Sequence, residues 1–178
     1  TDALESGAKN STLGYGTLSQ STAGNDNVAV GYLSLLNFTG SDATAVGSGA
    51  ADALTSATNT VAIGKDALGA TTDGHNNTAV GASSLNLADA GDNNVAVGYT
   101  ALSNFTGSDA TAVGVGAGDA ATAALRLTAV GKDAAGAVTD SDDHTAVGYQ
   151  ALNSCTTGAQ NTALGASAGY SLTGSSNV

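Results

Sequence analysis

The sequence has no proline, methionine or tryptophan, and only two Phe and one Cys among its 178 residues. So few large side chains leave little with which to fill a conventional globular core. The lone Cys155 excludes an internal disulfide framework. Cations are scarce as well: four Lys and Arg stand against 15 Asp and Glu, a net charge of −11. That balance excludes nucleic acid as a partner, because phosphate binding needs clustered positive charge. It also excludes electrostatic attraction to anionic membranes. No apolar run approaches the ~20 residues needed to span a bilayer, so membrane insertion is not expected. There is no signal-like start and no initiator Met, which reads as a mature, trimmed or partial chain.

What the chain does have is Gly, 25 residues of it, together with Ala, Val and Leu, and these recur periodically. A motif of small residue, Ala, aliphatic and Gly places its Gly at Gly14, Gly31, Gly47, Gly64, Gly81, Gly98, Gly114, Gly131, Gly148 and Gly165. Successive steps are 17 residues, except for two of 16 that end at Gly47 and Gly114. The aliphatic column reads Leu13, Val30, Val46, Ile63, Val80, Val97, Val113, Val130, Val147 and Leu164. Before it stands Ala29, Ala45, Ala62, Ala79, Ala96, Ala112, Ala129, Ala146 and Ala163, with Thr12 in the first coil. These three columns are the expected structural core of the repeat. Asn37 to Gly47 is identical to Asn104 to Gly114, so a block of four coils, 67 residues long, reads as duplicated.

A fixed period of this length is the signature of a solenoid. In one coil, Val95-Ala96-Val97 alternates faces as a short strand, and Gly98 allows a bend that a Cβ would hinder. Tyr99 to Leu102 is expected to form a second short strand, and Ser103 to Asp109 a polar turn. Two strands and two turns per coil predict an all-β, parallel β-solenoid of about ten 16–17-residue coils, continuous over residues 1–178. At ~4.8 Å per rung, ten rungs make a rod of roughly 48 Å. Asn27, Asn77, Asn94 and Asn161 share one coil position, where a ladder of side-chain amides would satisfy turn groups between rungs. A disordered linker, the alternative for a low-complexity chain, would lack aliphatic columns held in register.

The motifs NVAVGY at Asn27–Tyr32 and Asn94–Tyr99, TVAIG at Thr60–Gly64, NTAVGASSL at Asn77–Leu85, TAVGYQAL at Thr145–Leu152 and NTALGASAG at Asn161–Gly169 carry a resemblance. They are similar to the head repeats of trimeric autotransporter adhesins of the YadA type, and to related repeats of phage tail fibres. The resemblance covers most of the chain. It implies a left-handed parallel β-roll, three chains packed side by side, and an extracellular location. The coils here are longer than usual adhesin head repeats, and neither a heptad stalk nor a membrane-anchoring barrel accompanies them.

Catalytic and metal-binding constellations are absent from the pattern, so no enzyme activity and no cofactor are expected. His75 and His144 fall in DGHNN and DDHTA and read as solvated turn residues. Cys155, in NSCTTG, has no regular His partner that would make it a nucleophile. The Gly pairs Gly14–Gly16 and Gly114–Gly118 lack the following helix and Lys of a phosphate loop. Asp140, Asp142 and Asp143 crowd one turn but match no calcium-loop pattern. Four sequons, Asn37, Asn104, Asn76 and Asn10, are candidate glycosylation sites; the first two lie in the duplicated NFTG turns. Tyr15, Tyr32, Tyr99 and Tyr149 each follow a motif Gly, as a stacked or interchain column or as a glycan-contacting stripe.

The expected role is a structural segment of an extracellular fibre or filament, self-associating as a homotrimer or end to end. The start at Thr1-Asp2-Ala3-Leu4 and the stop inside a further NV motif suggest a stretch of a longer array. An adhesion module that binds glycans or a host surface is the first alternative. Ice binding is the second, weakened because Val28, Val61 and Val95 interrupt the single outer Thr column.

Overall fold

The computed structural model describes residues 9–19, 24–87, 90–124, 126–139 and 142–178. Ten strands run in chain order: β1 (Ser11–Leu13), β2 (Val28–Val30), β3 (Ser41–Val46), β4 (Thr58–Ile63), β5 (Thr78–Val80), β6 (Val95–Val97), β7 (Thr111–Val113), β8 (Thr128–Val130), β9 (Thr145–Val147) and β10 (Thr162–Leu164). They form one parallel sheet in the order β1 to β10, so every coil pairs with the coils before and after it. The chain is a parallel β-solenoid. Register follows the sequence columns: Ala29 pairs Ala45, Ala62 pairs Ala79, and Ala96 pairs Ala112.

The penultimate residue of each strand from β2 to β10 points inward. Ala29, Ala45, Ala62, Ala79, Ala96, Ala112, Ala129 and Ala146 are fully buried. The flanking positions face outward, so Ile63 and Val113 remain 40% and 39% exposed. The motif Gly then turns the chain with φ near +135°, a region that only Gly adopts readily. Close stacking adds a second reason for Gly: a Cβ on Gly98 would lie 2.3 Å from the Gly114 carbonyl oxygen of the next coil.

The expected second strand does not form. Residues two and four positions after each motif Gly take positive φ, as at Thr100 (53°) and Leu102 (51°), and the stretch is a turn. This pattern sends N–H groups two residues apart to opposite neighbours, while Ala101 N between them bonds Gly98 O of its own coil. Thr100 N donates to Ala82 O of the preceding coil, and Leu102 N to Ala117 O of the following one. This wall is thus bonded between coils as a sheet would be, but without β geometry. Left-handed Leu is locally unfavourable. Burial of Leu18, Leu35, Leu68, Leu85, Leu102 and Leu152, at about 1.5–3 kcal/mol each, offsets it.

A second interior column, seven residues after the motif Gly, holds Phe38, Leu54, Thr71, Phe105, Ala121, Val138 and Cys155, all buried. Its two Phe mark the two 16-residue coils. Each of those coils drops one residue from the polar turn and brings the Phe ring against Gly40 or Gly107. A Cβ there would lie 2.7 Å from Cζ of Phe38 or of Phe105.

Candidate functional site

The most organised polar feature is an inward column four residues before each motif Gly. Asn27, Asn77, Asn94 and Asn161 occupy it, each fully buried. Each amide works in both directions. Asn94 Oδ1 accepts from Ala110 N at 2.9 Å, and its Nδ2 donates to Gly107 O at 3.0 Å. Asn27 does the same with Ala43 N (2.9 Å) and Gly40 O (3.1 Å). The expected amide ladder is present, and its chemistry satisfies backbone groups that the tight turns leave unpaired.

Two outer ladders flank it. The residue one position earlier in the chain is at positive φ and is often Asn or Asp, types that tolerate that region. Asn59, Asn76, Asn93 and Asp109 pass hydrogen bonds from coil to coil there, at 3.1 Å each. Eight residues after the motif Gly stands a Thr column that the sequence reading overlooked. Thr39, Thr55, Thr106 and Thr122 donate their hydroxyls to the Thr carbonyl of the next coil, at 2.7–3.2 Å.

The sequons fall in different places. Asn10 belongs to the inward ladder, with Nδ2 directed at Gly24 O (2.8 Å) and Oδ1 accepting from Asn27 N. Asn76 is exposed within the outer ladder. Asn37 and Asn104 donate Nδ2 to Asp52 O (3.1 Å) and Asp119 O (2.6 Å), and of these two Asn104 is exposed.

One expectation is corrected. His144 is not a solvated turn residue: it is 1% exposed and replaces Asn in the inward ladder. Cys155 is fully buried in the second interior column, where Asn161 Nδ2 lies 3.7 Å from its sulfur and burial raises the thiol pKa. His75 matches the expectation better: it is half-buried, with Nδ1 accepting from Thr58 N at 3.2 Å. In the acidic turn, Asp143 is tied to Arg126 of the preceding coil, with Nη2 to Oδ2 at 3.0 Å. Asp140 lies outside the described residues.

The outer surface offers side chains of a different kind. Tyr15, Tyr32, Tyr99 and Tyr149 are 50–74% exposed beside the outward Val column. Tyr15 and Tyr32 stack with ring centroids 5.7 Å apart and planes 12° from parallel, and Lys132 Nζ lies 5.6 Å from the Tyr149 centroid. A shallow groove of about 300 Å³ is bounded by Thr72, Asp73, Gly74, Ala90, Gly91 and Asp92. Its carboxylates already serve the fold: Asp73 accepts from Thr55 and Ser56, and Asp92 from His75 N. Among the described residues no group of three or more His, Cys, Asp or Glu could hold a metal ion, and no helix could cross a membrane.

The geometry defines a parallel β-solenoid repeat protein whose polar side chains are spent on holding coil to coil. No protein-family model, curated protein or solved structure matches the chain.

Proposed function

We propose that the chain is a structural, non-catalytic segment of an extracellular fibre or filament. The observation that carries this reading is the single ten-stranded sheet held in one register from Ser11 to Leu164. Its buried amides are committed to backbone partners in adjacent coils rather than gathered at a site. The extracellular setting rests on the resemblance to adhesin heads and tail fibres. Self-association, laterally or end to end, draws support from the outward strand face, where β-branched side chains stand partly exposed in register from coil to coil. The net charge of −11 keeps such particles dispersed unless specific faces meet. Electron microscopy and light scattering of the purified chain test the reading. Elongated assemblies of several chains are expected, and a stable population of single compact monomers would sink it.

The exposed Tyr column favours a second reading, adhesion to glycans through aromatic stacking. A glycan array probed with the chain and with a Tyr99→Ser/Tyr149→Ser variant tests it. Binding that drops in the variant supports adhesion; silence of the unaltered chain removes it.

A further inference from the structure

The inward ladder contains one link of different chemistry. At His144 the imidazole stands where Asn77 stands one block earlier. Its Nδ1 accepts from Asn161 N at 3.3 Å, the same bond that an Asn Oδ1 makes elsewhere in the column. A ring that accepts at Nδ1 is neutral and carries its proton on Nε2. That Nε2 is buried and makes no hydrogen bond of normal geometry, although the Gly158 backbone lies near enough to the ring to favour its charged form. An amide cannot change its donor and acceptor pattern near neutral pH, whereas an imidazole can. Once protonated, Nδ1 becomes a donor facing the Asn161 N–H donor, and the charge lies in a site 1% exposed.

We propose that His144 is an acid-sensitive joint in the rod, whose protonation uncouples the coil that begins at Asn161 from the coil before it.

The surroundings set its direction. Burial pushes the His144 pKa below its usual value, while the Asn161 and Gly158 backbone and then the carboxylates of Asp142 and Asp143, just before it in the chain, pull the other way. Asp143 is itself held by Arg126 of the preceding coil. On its far side the ring meets the backbone of Asn161, where the following coil begins, and of Gly158 in the turn before it, with the Cys155 thiol beyond the Asn161 side chain. A His whose folded pKa is lowered contributes nothing above the unfolded value of about 6.5. Below it, the open state takes up a proton that the closed state refuses, so closure weakens by up to about tenfold per pH unit until the folded pKa is reached.

Amide hydrogen exchange on the full chain between pH 8 and pH 5, corrected for intrinsic rates, reads this directly. Asn161 N–H should lose protection by up to about tenfold per unit below pH 6.5. Ala110 N–H makes the same ladder bond to an Asn amide, so within the same molecule its protection should stay level. In His144→Asn the Asn161 amide should become level as well. Equal loss at Asn161 and Ala110, no loss at Asn161, or the same loss in H144N would each overturn the proposal. Should H144N not fold, the Asn161–Ala110 contrast in the unaltered chain still decides. Ring ¹⁵N shifts of His144 at pH 8 add a separate check: an Nδ1-protonated tautomer contradicts the joint.

Discussion

Thr60 and Leu127 hold the same position in the two copies of the four-coil block, and they solve it differently. Thr60 is buried and turns its hydroxyl to the Thr58 carbonyl at 3.3 Å. Leu127 is buried too, but it fills space left by Gly118, whose Cβ would stand 3.2 Å from Leu127 Cδ2. In the first copy Ala51 and Leu54 stand where the second has Gly118 and Ala121. Leu68 and Thr71 likewise give way to Ala135 and Val138. The second copy therefore has a leaner interior, yet its strands keep the same register. Register is held by the motif Gly and the coil-to-coil hydrogen bonds, which both copies share. Side-chain volume is adjusted afterwards, and across columns rather than within one.

The largest expected effect should leave that comparison intact. Gly47→Ala and Gly114→Ala place a Cβ 2.4 and 2.5 Å from the next coil's carbonyl oxygen, at φ +142° and +141°. Each should cost more than about 4 kcal/mol in chemical denaturation, alike in both copies; a variant of near-normal stability would refute the stacking argument. Next, Leu127→Ala should cost about 2–5 kcal/mol, because it opens a cavity beside Gly118. Thr60→Ala should cost only about 1 kcal/mol, the worth of one hydrogen bond. Equal losses at the two sites would erase the contrast between the copies.

Asn94→Ala should fall between these two, at about 1–3 kcal/mol, since Ala110 N and Gly107 O lose their buried partner. Faster exchange confined to the amides of the adjoining coils would mark the effect as local. The smallest effect concerns Asp52 and Asp119, equivalent residues whose pKa is raised by burial and further by Asp66 and Asp133. A carboxyl with a raised folded pKa adds stability only while protonated, so its contribution is lost as pH rises through that value. Asp52→Asn and Asp119→Asn should therefore raise the thermal midpoint slightly at pH 7. The gain should vanish below pH 3.8, the ordinary value for these groups. A gain in one copy alone would show that the two carboxylate pairs differ.

Much of this was legible in the residues because a stack repeats every local signal. The strand at Val95–Val97, the bend at Gly98 and the amide column at Asn94 each recur often enough for a weak preference to become a firm assignment. The turn at Tyr99–Leu102 was not legible. Its left-handed Leu102 opposes local propensity, and only the bond to Ala117 O and the burial of the side chain hold it there. His144 was misplaced for a related reason: its polar neighbours in sequence face outward while it faces inward.

By itself, then, the sequence determined the period, the register of the coils and the duplicated block, since these follow from the spacing of Gly and Ala. The tertiary structure decided which columns point inward, which wall is a strand and which a turn, and that one ladder position is a titratable ring. Those outcomes depend on what the coil above and the coil below present to each residue, and no single coil contains that information.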